Sequence, residues 1–91
     1  MNSRPIHVLL IEDNPGDTRL VRELLAHTRD GQFPLTHVGR LDAGIRCLSE
    51  AMIDVILLDL SLPDSQGIET LIRMHTAARG IPIVLMTGLE D

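Results

Sequence analysis

Residues Val55–Gly67 read VILLDLSLPDSQG. Four apolar residues run without alternation, an acid follows, and a proline and a glycine then punctuate the chain. A strand wetted on one face alternates apolar with polar residues. A short unbroken apolar run suits a strand covered on both faces, as in a parallel sheet flanked by helices. Two more runs have the same form, Val8-Leu9-Leu10-Ile11 and Ile83-Val84-Leu85-Met86. The latter predicts a strand over Pro82–Thr87. Leu35-Thr36-His37-Val38 is a weaker strand.

Helical patterns fill the gaps. Asn14 is placed to cap a first helix, with Pro15 at its first position and Asp17 in its first turn. Leu20, Val21, Leu24 and Leu25 give a stripe at helical spacing. Leu41, Ile45 and Leu48 do the same for a second helix, which Gly44 weakens by ~1 kcal/mol. Ile68, Leu71, Ile72 and His75 form a third stripe, ended by Gly80 and Pro82. Strand and helix thus alternate four strands deep. That order predicts an α/β doubly wound parallel sheet with right-handed crossovers.

The chain has 91 residues, which is one domain. Apolar residues make up 44% and charged residues 23%, an ordinary globular balance. Net charge is −5, with eight arginines and no lysine. An acidic chain without a basic patch argues against direct contact with nucleic acid or anionic lipid. Phe33 is the sole aromatic, which disfavours base stacking. One cysteine, Cys47, excludes an internal disulfide. The apolar runs are too short to cross a bilayer. A cytoplasmic domain is expected.

In open parallel sheets, sites form beyond the carboxyl ends of the strands. Glu12 and Asp13 follow the first run, Asp59 the third, and Thr87 the last. If these ends meet, three carboxylates share one edge. Two unit charges ~4 Å apart repel by about 4 kcal/mol at an effective dielectric near 20. A divalent cation relieves that repulsion, and an all-oxygen set with few protein ligands suits Mg²⁺. One carboxylate then remains as a nucleophile. Acids after strands also serve as solvated loop residues or helix caps, and the strand order is not visible in the residues. Both readings stay open on this ground alone. The four histidines have no metal-ligand spacing. Met74 and Met86 read as core or near-core residues, and Cys47 as a small apolar filler.

The segments HVLLIEDNPG (His7–Gly16), VILLDLSLPDSQG (Val55–Gly67) and IPIVLMTG (Ile81–Gly88) resemble, in order and spacing, the receiver domain of two-component response regulators. The resemblance implies a flavodoxin-like sheet in the order 2-1-3-4. It implies that Asp59 accepts a phosphoryl group from a histidine kinase or phosphotransfer protein. Asp13 corresponds to the direct Mg²⁺ ligand, and Glu12 to the neighbour that acts on the metal largely through water. Ser61 matches the residue whose backbone carbonyl completes the metal site, and Thr87 the hydroxyl that senses the phosphoryl group. Pro63 and Gly67 match residues that shape the loop before the third helix.

The sequence also departs from that pattern. The family's lysine has no counterpart in these 91 residues, and neither does its fifth strand nor its last two helices. Residues 1–91 therefore read as a receiver domain cut after its fourth strand. Impaired phosphorylation and switching are expected of such a chain, as is a homo-oligomer joined through Pro82–Thr87 or by exchange of elements. A receiver-like docking or dimerising module that works without phosphorylation is the alternative. An aspartyl phosphatase is a more distant one, since Ser61 stands where such enzymes place a second acid.

Overall fold

The computed structural model describes residues 4–28 and 32–86. The elements run β1 (Val8–Ile11), α1 (Pro15–Ala26), β2 (Leu35–Val38), α2 (Leu41–Glu50), β3 (Val55–Leu58), β4 (Ser61–Leu62), β5 (Ser65–Gln66), α3 (Ile68–Ala78) and β6 (Ile83–Leu85). Four strands form one parallel sheet in the order β2-β1-β3-β6. Counting only these four, the order is the expected 2-1-3-4. The pair β4–β5 is a separate antiparallel hairpin that sequence periodicity did not reveal.

The continuous runs are buried for the reason given above. Leu9, Leu10, Ile11, Ile56 and Leu58 are fully buried. Alternation puts Leu9 and Ile11 on one face beside Ile56 and Leu58. There they pack with Leu41, Ile53, Leu62, Met74 and Ala78 in the main core. Val8 and Leu10 are buried on the opposite face.

Local signals account for the helix ends. The side chain of Asn14 accepts a hydrogen bond from the Asp17 amide at 2.9 Å, and Pro15 opens α1. Gly67, at φ +66°, turns the chain into α3, a conformation that favours glycine. Arg79 and Gly80 take left-handed conformations that end α3. Gly44 is buried in α2, where a Cβ would overlap Cδ1 of Ile11. Its missing side chain lets α2 approach β1.

Two predicted stripes are out of phase. In α3 the buried residues are Thr70, Met74 and Ala78; of the predicted stripe Leu71 is half-buried against the core, whereas Ile68, Ile72 and His75 are exposed. In α1 only Val21 of the predicted stripe is buried, Leu25 is half-buried, and Leu20 and Leu24 face outward. Periodicity fixes the helical repeat, but the packed face depends on which neighbours exist. The last strand is shorter than predicted and exposes Val84 and Leu85 at the sheet edge. Met86 is half-buried and its amide still bonds to Leu58. Thr87 lies outside the described residues.

Candidate functional site

Register builds the site. Ile11 pairs with Leu58, so β1 and β3 end side by side. The Asp59 amide donates to the Ile11 carbonyl at 3.0 Å, and the Glu12 amide to the Val38 carbonyl at 3.0 Å. Three adjacent strands are thereby tied one residue beyond their ends. Glu12, Asp13 and Asp59 each present a carboxylate oxygen, and these atoms all lie within 4.8 Å of one another. The strand-end acids converge, the arrangement that the residues alone left open.

Their environments differ. Glu12 is buried, Asp59 half-buried and Asp13 exposed. Burial pushes the Glu12 carboxyl up to about 7. Its side-chain hydrogen bond with Asp59 and the charges of Asp59 and Asp17 push the same way, while the Asn14 amide opposes them. That amide lies 3.2 Å from the Glu12 carboxylate. The cluster thus holds more negative charge than its protein surroundings compensate, which is the electrostatic condition for a cation site.

Asp59 is held by the next turn. The Ser61 amide donates to its Oδ1 at 2.9 Å. Beside the acids lies a cleft of about 490 Å³ that includes Thr18, Arg19, Arg22 and His37. His37 has no metal-ligand spacing in the sequence, but the fold brings it to the site. Its Nε2 lies 2.7 Å from the Glu12 carbonyl and 3.3 Å from the Thr18 hydroxyl, so β2 braces the acid-bearing turn. Nothing in the sequence marked that contact, because it depends on strands 25 residues apart becoming neighbours.

The family model for the response regulator receiver domain matches residues 8–91. The chain belongs to that family. It is thus a phosphoacceptor domain of two-component signalling. Among curated relatives, the swarming motility regulation protein RssB of Serratia marcescens is 34% identical over 85 residues, covering 93% of this chain and 37% of RssB. The chain spans between about a fifth and two fifths of the length of such relatives. Among solved structures, the Mn²⁺-bound form of response regulator Rcp1 superposes with a TM-score of 0.79 at 28% identity. That match covers 96% of this chain and 70% of Rcp1. The phosphorylated cyanobacterial phytochrome response regulator RcpA gives 0.76 at 27% identity, covering 97% and 71%. No helix among the described residues is long and apolar enough to cross a membrane.

Proposed function

We propose that Asp59 of this receiver domain accepts a phosphoryl group from a phosphohistidine of a histidine kinase or phosphotransfer protein, with Mg²⁺ held at Glu12, Asp13, Asp59 and the backbone carbonyl of Ser61. The convergence of the three acids within 4.8 Å carries this assignment. The donor set fits the ion: the ligands are all oxygen, and an exposed side leaves room for the waters Mg²⁺ retains. The metal-bound Rcp1 and the phosphorylated RcpA support the same view by likeness.

When bound, Mg²⁺ neutralises charge between the incoming phosphoryl group and the acids. The protein supplies the rest. A carboxylate oxygen of Asp59 attacks phosphorus, a P–O bond forms, and the P–N bond breaks with its electron pair left on the donor imidazole. The Ser61 amide holds the Asp59 carboxylate through Oδ1. Asp13 and Glu12 would anchor the cation, and the half-buried Asp59 beside the exposed Asp13 leaves the acid edge open to the donor side chain. Thr87 is assigned the hydroxyl that meets the new phosphoryl oxygens. The domain is taken to work in the cytoplasm. Its exposed β6 edge is taken to pair with a second copy of the chain, a view supported by the exposure of Val84 and Leu85.

Beryllofluoride with Mg²⁺, which mimics an acyl phosphate, tests the assignment. A bound ¹⁹F NMR signal with shifted Asp59 and Ser61 amides is expected, and it should vanish in Asp59→Asn. No bound signal, or one that survives in Asp59→Asn, overturns it and leaves the docking module.

A further inference from the structure

We propose that Gln66 is a positioning residue whose side-chain amide clamps the turn after Asp59 and fixes the Ser61 backbone toward the acids. This rests on the Mg²⁺ site proposed above.

The geometry comes from the β4–β5 hairpin. Ser61 faces Gln66 across it, and Leu62 faces Ser65. The Gly67 amide donates to the Leu60 carbonyl at 2.7 Å, which makes Leu60–Gly67 a hydrogen-bonded pair. Bonded and non-bonded pairs alternate in an antiparallel ladder, so Ser61–Gln66 is non-bonded. The N–H and C=O of Ser61 then both point out of the hairpin, on one side. The N–H on that side donates to Asp59 at 2.9 Å. The carbonyl is therefore directed to the same side as Asp59.

Backbone pairing alone holds this orientation poorly. A hairpin of two residues per strand is marginal by itself. Its far end is tied by Thr70, whose hydroxyl lies 2.8 Å from that of the buried Ser65. Its near end, beside Asp59, is tied by the Gln66 side chain. Nε2 donates to the Leu62 carbonyl at 2.6 Å, and Oε1 accepts from the Ser61 hydroxyl at 3.1 Å. One amide thus grips both residues of the opposing strand. Non-bonded pairs bring their side chains closest, which makes this grip possible at Ser61–Gln66. Among the described residues the Gln66 side chain hydrogen-bonds to Ser61 and Leu62 and not to Glu12, Asp13 or Asp59, so it acts through the turn.

The experiment compares Gln66→Ala, Ser61→Ala, Ser61→Thr and the double alanine variant, with Ala78→Gly as a destabilised comparator far along α3. Mg²⁺ affinity is read from amide shifts in an NMR titration, the Ser61 amide is followed directly, and urea unfolding gives stability. A side-chain hydrogen bond of ordinary strength implies about a threefold loss of Mg²⁺ affinity in Gln66→Ala. Ser61→Ala loses part of that, Ser61→Thr restores it, and the double variant is no weaker than Gln66→Ala. Ala78→Gly unfolds more easily but binds Mg²⁺ normally. Unchanged affinity in Gln66→Ala, an additive double variant, or an equal loss in Ala78→Gly overturns the clamp. If Gln66→Ala does not fold, the contrast between Ser61→Ala and Ser61→Thr decides. Asp13→Asn separates the two claims: if it leaves Mg²⁺ affinity intact, the metal site fails rather than the clamp.

Discussion

The amide of Leu41 donates to Oδ1 of Asp64 at 2.8 Å, so α2 is capped by a residue 23 positions further along the chain. The Asp42 amide donates to the other oxygen at 2.9 Å. Arg40, at the cap position itself, contributes no side-chain cap. Asp64→Ala should therefore lower stability by about 0.5–2 kcal/mol, the range for losing a cap, and Asp64→Asn by less. Urea unfolding checks both. An unchanged midpoint in Asp64→Ala would show that water replaces the cap without loss.

Gly44→Ala should also destabilise, although alanine is the better helix former by ~1 kcal/mol. Its Cβ would overlap Cδ1 of Ile11 and come 3.0 Å from Cγ1, and Ile11 is fully buried. Overpacking of this kind costs about 1–3 kcal/mol, so a net loss is expected. Ile11→Val removes Cδ1. The double variant should be more stable than the two single losses predict, as measured in a double-mutant cycle.

Two carboxyls impose opposite pH slopes on the metal-free chain. Glu12 is raised from 4.5 to about 7, by burial first and then by Asp59. The stability it contributes is full below 4.5 and is lost as pH rises through 7. Asp59, Asp13 and Asp17 face it as charges, and the His37 ring bonds to its carbonyl. Asp64 lies below its ordinary 3.8: burial would raise it, but the Asp42 and Leu41 amides and then Arg40 outweigh burial. Its contribution is present above 3.8 and is lost as pH falls through the lower folded value. Melting temperature should thus drop from pH 5 to pH 8. The drop should disappear in Glu12→Gln and be offset by Mg²⁺, which binds the ionised acids. A flat profile in the parent chain contradicts the buried, crowded Glu12.

At the sheet edge, Val84 is 48% exposed and Leu85 42%. Unpaired apolar edge strands invite another strand. Light scattering of the 91-residue chain should give a dimer or larger species, and Val84→Lys should shift it toward monomer. A monomer at high concentration in the parent chain would refute pairing through β6.

Much of the fold was legible because its signals are local. Val8–Ile11 and Val55–Leu58 are apolar throughout and became the central strands. Asn14-Pro15 marked the start of α1. Leu35–Val38 emerged with the bounds read for it. The acids of the site were legible because they end strands, but their convergence required the strand order, which the family resemblance implied. The third helix shows where pattern fails: Ile68 and Ile72 look like a core stripe, yet Thr70 is the residue buried, with its hydroxyl against Leu60 and Ser65. A polar residue with partners inside the fold leaves no trace in periodicity. The β4–β5 hairpin is too short to have a period, so Gln66 could not be singled out.

Intact-mass measurement after incubation with a small phosphodonor and Mg²⁺ tests the central claim most directly. One added phosphoryl group is predicted in the parent chain, at a lower yield than in a receiver domain that carries the family's lysine, with none in Asp59→Asn and less in Asp13→Asn. A phosphoryl group that persists in Asp59→Asn, or none in the parent chain with Mg²⁺ present, would contradict the account.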